Sequence, residues 1–187
     1  MANQLEISAL PLGGLALISR LPWVDERGSF EKLFARDVLT DAGFDQPVAQ
    51  INLSETRMKG AIRGLHFQKP PACEDKIVIC LSGEVFDVAV DLRRNSPTLL
   101  RWHGETLTAG KKAAIFIPKG FAHGFQVLSD ECRLLYIHSH AHAPDAEGGL
   151  HYADPKLKIS WPLAPTVVSD RDKAWPYIGA DFSGYEP

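Results

Sequence analysis

The chain has 187 residues, 45% of them hydrophobic and 23% charged, with a formal net charge of −3. This length fits a single domain over residues 1–187, and the charge argues against nucleic acid or an anionic membrane as the main partner. The first residues lack the order of a signal peptide, and no apolar run is long enough to span a bilayer, so we expect a cytoplasmic protein. Its three cysteines are then expected to be reduced thiols.

Short strands separated by Gly and Pro dominate the predicted elements. A helix is predicted over residues 30–42, with Ser29 as its N-cap and Gly43 at its end. The predicted strands follow in chain order: residues 48–54, 76–81, 85–92, 113–117 and 134–142. A short helical turn is predicted over residues 170–174. Many close-spaced strands with little helix between them favour an all-β barrel or sandwich.

Some predicted strands carry polar side chains on one face. Two such sets are Gln50, Asn52 and Ser54 in one strand, and Tyr136, His138, His140 and His142 in another. In a barrel these faces would point inward and line a cavity for a small ligand, because buried polar groups are costly unless they are bonded. The alternative is that these faces point to solvent.

A histidine, a lysine and a tyrosine around one cavity could invert a carbon next to a ketone. Histidine titrates near neutrality and can remove the proton, while an ammonium group stabilises the enolate oxygen where charge develops. A tyrosine on the opposite face can return a proton from the other side. An aspartate bonded to the far nitrogen of the histidine orients the ring. This set of groups needs no metal and no organic cofactor.

Three segments carry a more specific pattern: residues 62–68 (IRGLHFQ), 83–93 (GEVFDVAVDLR) and 117–125 (IPKGFAHGF). Together with Asp154-Pro155 and residues 159–162 (ISWP), they make the chain resemble the dTDP-4-dehydrorhamnose 3,5-epimerase family of dTDP-L-rhamnose synthesis, from about residue 25 to residue 172. The resemblance implies a cupin or RmlC-like jelly-roll β-barrel with short N-terminal and C-terminal helical segments. It also implies a homodimer, no cofactor, no metal, and a nucleoside-diphosphate 4-keto-6-deoxyhexose as the substrate.

The resemblance further implies the catalytic groups. His66 would be the base, oriented by Asp172, and Lys76 would stabilise the enolate oxygen at C4. Tyr136 would be the acid on the other face of the sugar.

Substrate-binding residues are implied in the same way. Arg27 and Arg63 would hold the pyrophosphate, for which a planar guanidinium is well suited. The remaining implied contacts are Gln50, Asn52, Phe30 and His123. Because the family's site borrows residues from the partner's N-terminal strand, Arg27 and Phe30 would act across the dimer interface.

Five positions depart from the family pattern. Lys32 stands where family members often carry Glu, Ile79 and Ile137 replace basic residues, and Ala141-His142 replaces a Tyr-Tyr pair. The altered periphery leaves open a C3-only or C5-only epimerase on a related dTDP-, GDP- or CDP-linked 4-keto sugar.

Other classes of protein remain as alternatives. A metal-dependent cupin enzyme would use imidazoles such as those of His138, His140 and His142, although the residues after His66 do not complete a cupin metal motif. A non-catalytic sugar-binding barrel would be favoured by loss of His66, Lys76 or Tyr136, and all three are present. A 3,4-ketoisomerase on the same scaffold usually lacks the arrangement of Arg63-Gly64-Leu65-His66 with Lys76.

Overall fold

The computed structural model describes residues 4–187, and strands make up most of its regular structure. The strands are β1 (Leu5–Ala9), β2 (Ala16–Arg20), β3 (Trp23–Asp25), β4 (Gly28–Phe30), β5 (Gln50–Arg57), β6 (Ile62–Gln68), β7 (Lys76–Ser82), β8 (Glu84–Asp91), β9 (Trp102–Thr108), β10 (Ala113–Ile117), β11 (Phe121–Val127), β12 (Glu131–His138) and β13 (Glu147–Gly149). The helices are α1 (Arg36–Asp41) and α2 (Asp170–Lys173), with a 3₁₀ turn at Pro144–Ala146. Over residues 4–187, no helix has the length and apolar character needed to cross a membrane.

Two antiparallel sheets face each other. The six-stranded sheet has the order β1-β2-β10-β7-β12-β5, and the five-stranded sheet has the order β13-β6-β11-β8-β9. A separate hairpin joins β3 to β4. The expected all-β class with short helical segments is therefore confirmed.

The main hydrophobic core lies between the two sheets. It combines inward side chains such as Val78 and Leu134 of the six-stranded sheet with Ala89 and Phe125 of the five-stranded sheet. Alternation along β8 is as predicted, because Val85 and Ala89 face this core while Val88 and Val90 lie on the opposite face.

The outer faces of both sheets are also covered. Leu39 of α1 and Phe44 pack against Ile77 and Ile79 on the six-stranded sheet. Leu157 and Ile178, from the C-terminal segment, pack with Val88 and Val90 on the five-stranded sheet. Where both faces of a sheet are buried, inward and outward positions can both be apolar, so polar inward positions mark the cavity.

The predicted strands and C-terminal turn agree with the structure to within a few residues, with one exception at the end of β12. The predicted turn is α2, and the Ser169 hydroxyl accepts a hydrogen bond from the backbone N–H of Asp172 at 3.1 Å. β10 has the predicted bounds. The strands that the pattern did not predict include β6 and β11, which form one wall of the cavity described below.

The predicted helix over residues 30–42 is wrong in its first half. Ser29 is not an N-cap but pairs with Val24 in the β3–β4 hairpin, and the helix begins only at Arg36. Pairing with β3 overrides the local helical pattern, and Gly28 at φ +128° allows the tight reversal between the two strands.

The strand predicted over residues 134–142 ends at His138. Beyond it the chain turns away, and the Ser139 backbone N–H donates to the carbonyl oxygen of Asp75 at 3.0 Å. His140 and His142 therefore lie outside the strand, and the predicted common face of four residues reduces to Tyr136 and His138.

Candidate active site

A cavity of about 540 Å³ opens between the two sheets. The six-stranded sheet contributes Gln50, Asn52, Lys76 and Tyr136 to its lining, and the five-stranded sheet contributes Arg63, His66 and His123. Seven of the ten predicted site residues thus line one cavity, and Asp172 contacts it from behind His66.

A bulge in β6 brings Arg63 and His66 to the same side of the sheet. These residues are three positions apart, so regular alternation would point them to opposite faces. Their partners on β11 are Phe125 and His123, which are only two positions apart, and the register shifts between them. The extra residue in β6 therefore aims both side chains into the cavity.

His66 is held by a carboxylate at its back. Its Nε2 lies 2.7 Å from Oδ1 of Asp172, and the other carboxylate oxygen accepts the Gly64 backbone N–H at 3.1 Å. Burial disfavours the charged form of Asp172, but the hydrogen bond and charge of His66, together with hydrogen bonds from Gly64 and Ser169, outweigh it and hold the pKa of that carboxyl below its usual range. Because a carboxylate only accepts, it fixes the hydrogen on Nε2 and leaves the lone pair of Nδ1 free.

Tyr136 and Lys76 occupy the opposite wall. The Tyr136 hydroxyl lies 3.5 Å from the Ser54 hydroxyl, and its ring contacts that of His123 edge-on. Burial raises the pKa of Tyr136, so its hydroxyl stays protonated and can act as a proton donor. Lys76 is buried and its Nζ lies 3.0 Å from Oε1 of Glu74.

Glu74 lines the cavity but is absent from the residues predicted for the site. Its second carboxylate oxygen lies 2.9 Å from Nδ1 of His138. A signal for it exists in the sequence, because Glu74 lies two residues before Lys76, so alternation would place both side chains on the same face. Asp87, 2.8 Å from Nε2 of His123, has the matching role on the other wall and was predicted only as a strand residue.

Gln50 and Gln68 tie the segment after β12 across the cavity mouth. The side-chain oxygen of Gln50 accepts the His142 backbone N–H at 2.9 Å, and that of Gln68 accepts the Ala143 backbone N–H at 2.6 Å. The amide NH₂ of Gln50 remains to face a ligand.

Arg27 and Phe30 do not line this cavity. They belong to the β3–β4 hairpin, where Phe30 is 69% exposed and Arg27 pairs with Asp25 at 2.6 Å. The hairpin encloses a separate hollow of about 250 Å³.

Glu31 cannot take the place of the family's Glu at position 32. It is bound by Arg20, at 2.6 Å, and also by Lys112. The carboxylate is therefore committed to an internal ion-pair cluster.

The three histidines at and after the end of β12 have separate contacts. His138 binds Glu74, His140 contacts the carbonyl oxygen of Ala141 at 2.7 Å, and His142 lies 3.6 Å from Glu147. Within residues 4–187 no group of three or more His, Cys, Asp or Glu side chains is arranged to hold a metal ion.

This geometry suits proton transfer between two walls. A histidine backed by a carboxylate can accept a proton on one side, a buried phenol can supply one on the other, and an ammonium group can stabilise negative charge between them.

Comparison with known proteins agrees with this chemistry. The family model for dTDP-4-dehydrorhamnose 3,5-epimerase matches residues 9–179. The enzyme of that name from Shigella flexneri is 41% identical over 84% of this chain and 88% of its own. A dTDP-4-dehydrorhamnose 3-epimerase from Streptomyces niveus is 39% identical over 87% of this chain and 80% of its own.

A solved structure shows the same fold. The dTDP-6-deoxy-D-glucose-3,5-epimerase of Legionella pneumophila, in complex with dTDP-4-keto-L-rhamnose, superposes with a TM-score of 0.90 at 37% identity and covers 98% of this chain and 99% of its own. The chain belongs to the dTDP-4-dehydrorhamnose 3,5-epimerase family and is an isomerase.

Proposed function

We propose that the chain inverts C3 and C5 of a dTDP-linked 4-keto-6-deoxyhexose without a cofactor or metal. The observation that carries the proposal is the placement of His66, backed by Asp172 at 2.7 Å, in one cavity with Lys76 and Tyr136 of the opposite sheet. Two walls with complementary proton-transfer groups are what inversion at a carbon requires.

In the proposed reaction, Nδ1 of His66 takes the proton from the carbon next to the C4 ketone. The electron pair of the broken C–H bond forms an enolate whose oxygen carries the charge. Asp172 orients the imidazole and stabilises the imidazolium that forms.

Lys76 stabilises the enolate oxygen. Its ammonium group is buried in the cavity, where an electrostatic interaction is stronger than in water. The enolate then collapses as its carbon takes a proton from Tyr136 on the opposite face. The phenolate and the imidazolium exchange protons with water to restore the starting enzyme.

Arg63 holds the pyrophosphate in this proposal, with Gln50, Asn52 and His123 as further substrate contacts. The exposed guanidinium lines the cavity and donates to the Thr56 hydroxyl at 3.3 Å, which leaves other donors for phosphate oxygens.

Arg63→Ala is expected to raise the Kd for dTDP by roughly 10- to 100-fold, because a charge-assisted pair with phosphate contributes about 1.5–3 kcal/mol. Isothermal titration calorimetry measures the change. Arg94→Ala, which removes an exposed arginine paired with Glu186, is the matched control and should bind like the wild type. Equal affinity in both variants would contradict the pyrophosphate role.

Solvent exchange tests the reaction itself. The protein, treated with a chelator, is incubated with dTDP-4-keto-6-deoxyglucose in D₂O and followed by NMR. Deuterium at both C3 and C5 is expected. No exchange with this substrate, or with its GDP- and CDP-linked analogues, would refute the proposal.

A C3-only epimerase is the second candidate. The Streptomyces niveus relative carries that name at 39% identity, and the segment at Ala141-His142 differs from the family pattern beside the cavity mouth. Exchange confined to C3 in the same experiment would select it.

A homodimer is proposed from exposed apolar surface. Trp23 and Phe30 on the β3–β4 hairpin are each 69% exposed, and Ile51 and Leu53 on the edge strand β5 are 60% and 52% exposed. In a dimer, the hairpin of one protomer would bring Arg27 and Phe30 to the partner's cavity.

Sedimentation equilibrium is expected to give the dimer mass, and Ile51→Ser to shift the equilibrium towards monomer. Arg101→Ser, at another exposed position, is the control. A wild-type protein that stays monomeric throughout would contradict the dimer.

Three further statements belong to the proposal. The fold is a cupin-type jelly-roll barrel, residues 1–187 form a single domain, and the protein is cytoplasmic. Support comes from two sheets that share one core and from the family match over residues 9–179. An experimental structure, one cooperative unfolding transition and cell fractionation would test the three in turn.

A further inference from the structure

A buried chain of three charged or polar side chains lies behind the keto-oxygen side of the cavity. Lys76 Nζ is 3.0 Å from Oε1 of Glu74, and Oε2 of Glu74 is 2.9 Å from Nδ1 of His138. None of the three side chains is more than 10% exposed. His138 and Lys76 are also direct cross-strand partners on β12 and β7.

The proposed proton transfers use neither Glu74 nor His138. A carboxylate beside Lys76 offsets part of the charge that stabilises the enolate, and its burial is costly unless it is paired. Glu74 is therefore expected to have a role other than stabilising the charge of the enolate.

We infer that Glu74 is a positioning residue that fixes the Lys76 ammonium group towards the keto oxygen, and that His138 holds Glu74 in that orientation. The inference rests on the proposed function, since it presupposes the role of Lys76. A lysine side chain has a flexible four-carbon stem, so an ammonium group without a fixed partner would sample several positions. One of its three donors binds Glu74, and the other two remain for the substrate.

The surroundings of Glu74 favour its charged form. Burial opposes the charge, but Lys76 and the hydrogen bond from His138 outweigh it and lower the pKa of Glu74 to about 2. His138 in turn stacks on the Tyr136 ring, with centroids 6.0 Å apart and planes at 17°. The chain therefore links the oxyanion side of the cavity to the phenol that is proposed to supply the proton.

Glu74→Gln tests the inference. It keeps the shape of the side chain but removes the charge that faces the ammonium group. Exchange at C3 in D₂O is expected to fall roughly 10- to 100-fold in kcat, with KM within about threefold of wild type. A fall in kcat at nearly constant KM would place the effect in the chemical step and not in substrate binding.

Two further variants separate position from charge. Glu74→Asp keeps the charge but withdraws it by one methylene, so kcat should fall while KM stays close to wild type. His138→Asn is expected to lower kcat by about 3- to 10-fold with KM unchanged, because Glu74 is still present but less firmly held. Glu186→Gln, at an exposed ion pair with Arg94, is the control and should behave like the wild type.

The outcomes are distinct. A Glu74→Gln enzyme with wild-type kcat overturns the inference, even if its melting temperature is lower. Should Glu74→Gln not fold, wild-type kinetics in His138→Asn overturn it equally. Absence of exchange in the wild type and in Glu186→Gln would instead show that the proposed function itself is wrong, and the inference would be overturned with it.

Discussion

His66→Ala is expected to lower epimerisation and solvent exchange by roughly a thousandfold or more, because it removes the proposed base and leaves Oδ1 of Asp172 without its imidazole partner. The Kd for dTDP should stay within about threefold of wild type, since the proposed phosphate contact at Arg63 is untouched. Deuterium incorporation followed by NMR measures the first quantity and calorimetry the second.

The matched control is His103→Ala. His103 also lies on the five-stranded sheet and contacts a carboxylate, Glu105, at 3.4 Å, but it does not line the cavity. It should retain wild-type exchange. Near-normal exchange in His66→Ala would rule out His66 as the base, whereas equal losses in both variants would indicate damage to the sheet.

Gly64→Ala is expected to lower the free energy of unfolding by about 3 kcal/mol or more. Gly64 adopts φ +113°, and an added Cβ would lie 2.6 Å from Cα of Gly124 and 2.7 Å from the carbonyl oxygen of His123. Both neighbours are backbone atoms of β11, so no flexible side chain can move aside. For a chain of this size the loss corresponds to a decrease in Tm of roughly 10 °C.

Gly110→Ala is the control for this substitution. The nearest atom to a Cβ there is the Thr108 hydroxyl, at 4.0 Å, and its φ is not in the left-handed region. Its stability should change by less than about 0.5 kcal/mol. Thermal unfolding followed by circular dichroism compares the two, and an unchanged Tm in Gly64→Ala would show that β6 can move away from β11.

The contrast between β6 and β12 shows where alternation along the sequence is informative. It predicted that Tyr136 and His138 share a face, because β12 is regular from one to the other. It could not predict that Arg63 and His66 both face the cavity, because that depends on a bulge whose register is set by the partner strand. For these two residues the family resemblance was needed.

Other misses have equally local causes. The helix predicted from residue 30 was wrong at its start because residues 28–30 pair with the strand at residues 23–25. The helical periodicity of the sequence contains no information about strand pairing of this kind. Glu74 was missed because acidic residues before a strand, here Glu74-Asp75, are ordinarily solvated, and the fold shows that Glu74 is enclosed by Lys76 and His138.

The contact between His66 and Asp172 spans 106 residues. Its acceptor lies on α2, in the same C-terminal segment that covers the outer face of the five-stranded sheet with Leu157 and Ile178. During synthesis from the N-terminus, all the described strands of both sheets are therefore made before Asp172. A molecule truncated before α2 is expected to lack the carboxylate that orients His66, the proposed base, even where its sheets form.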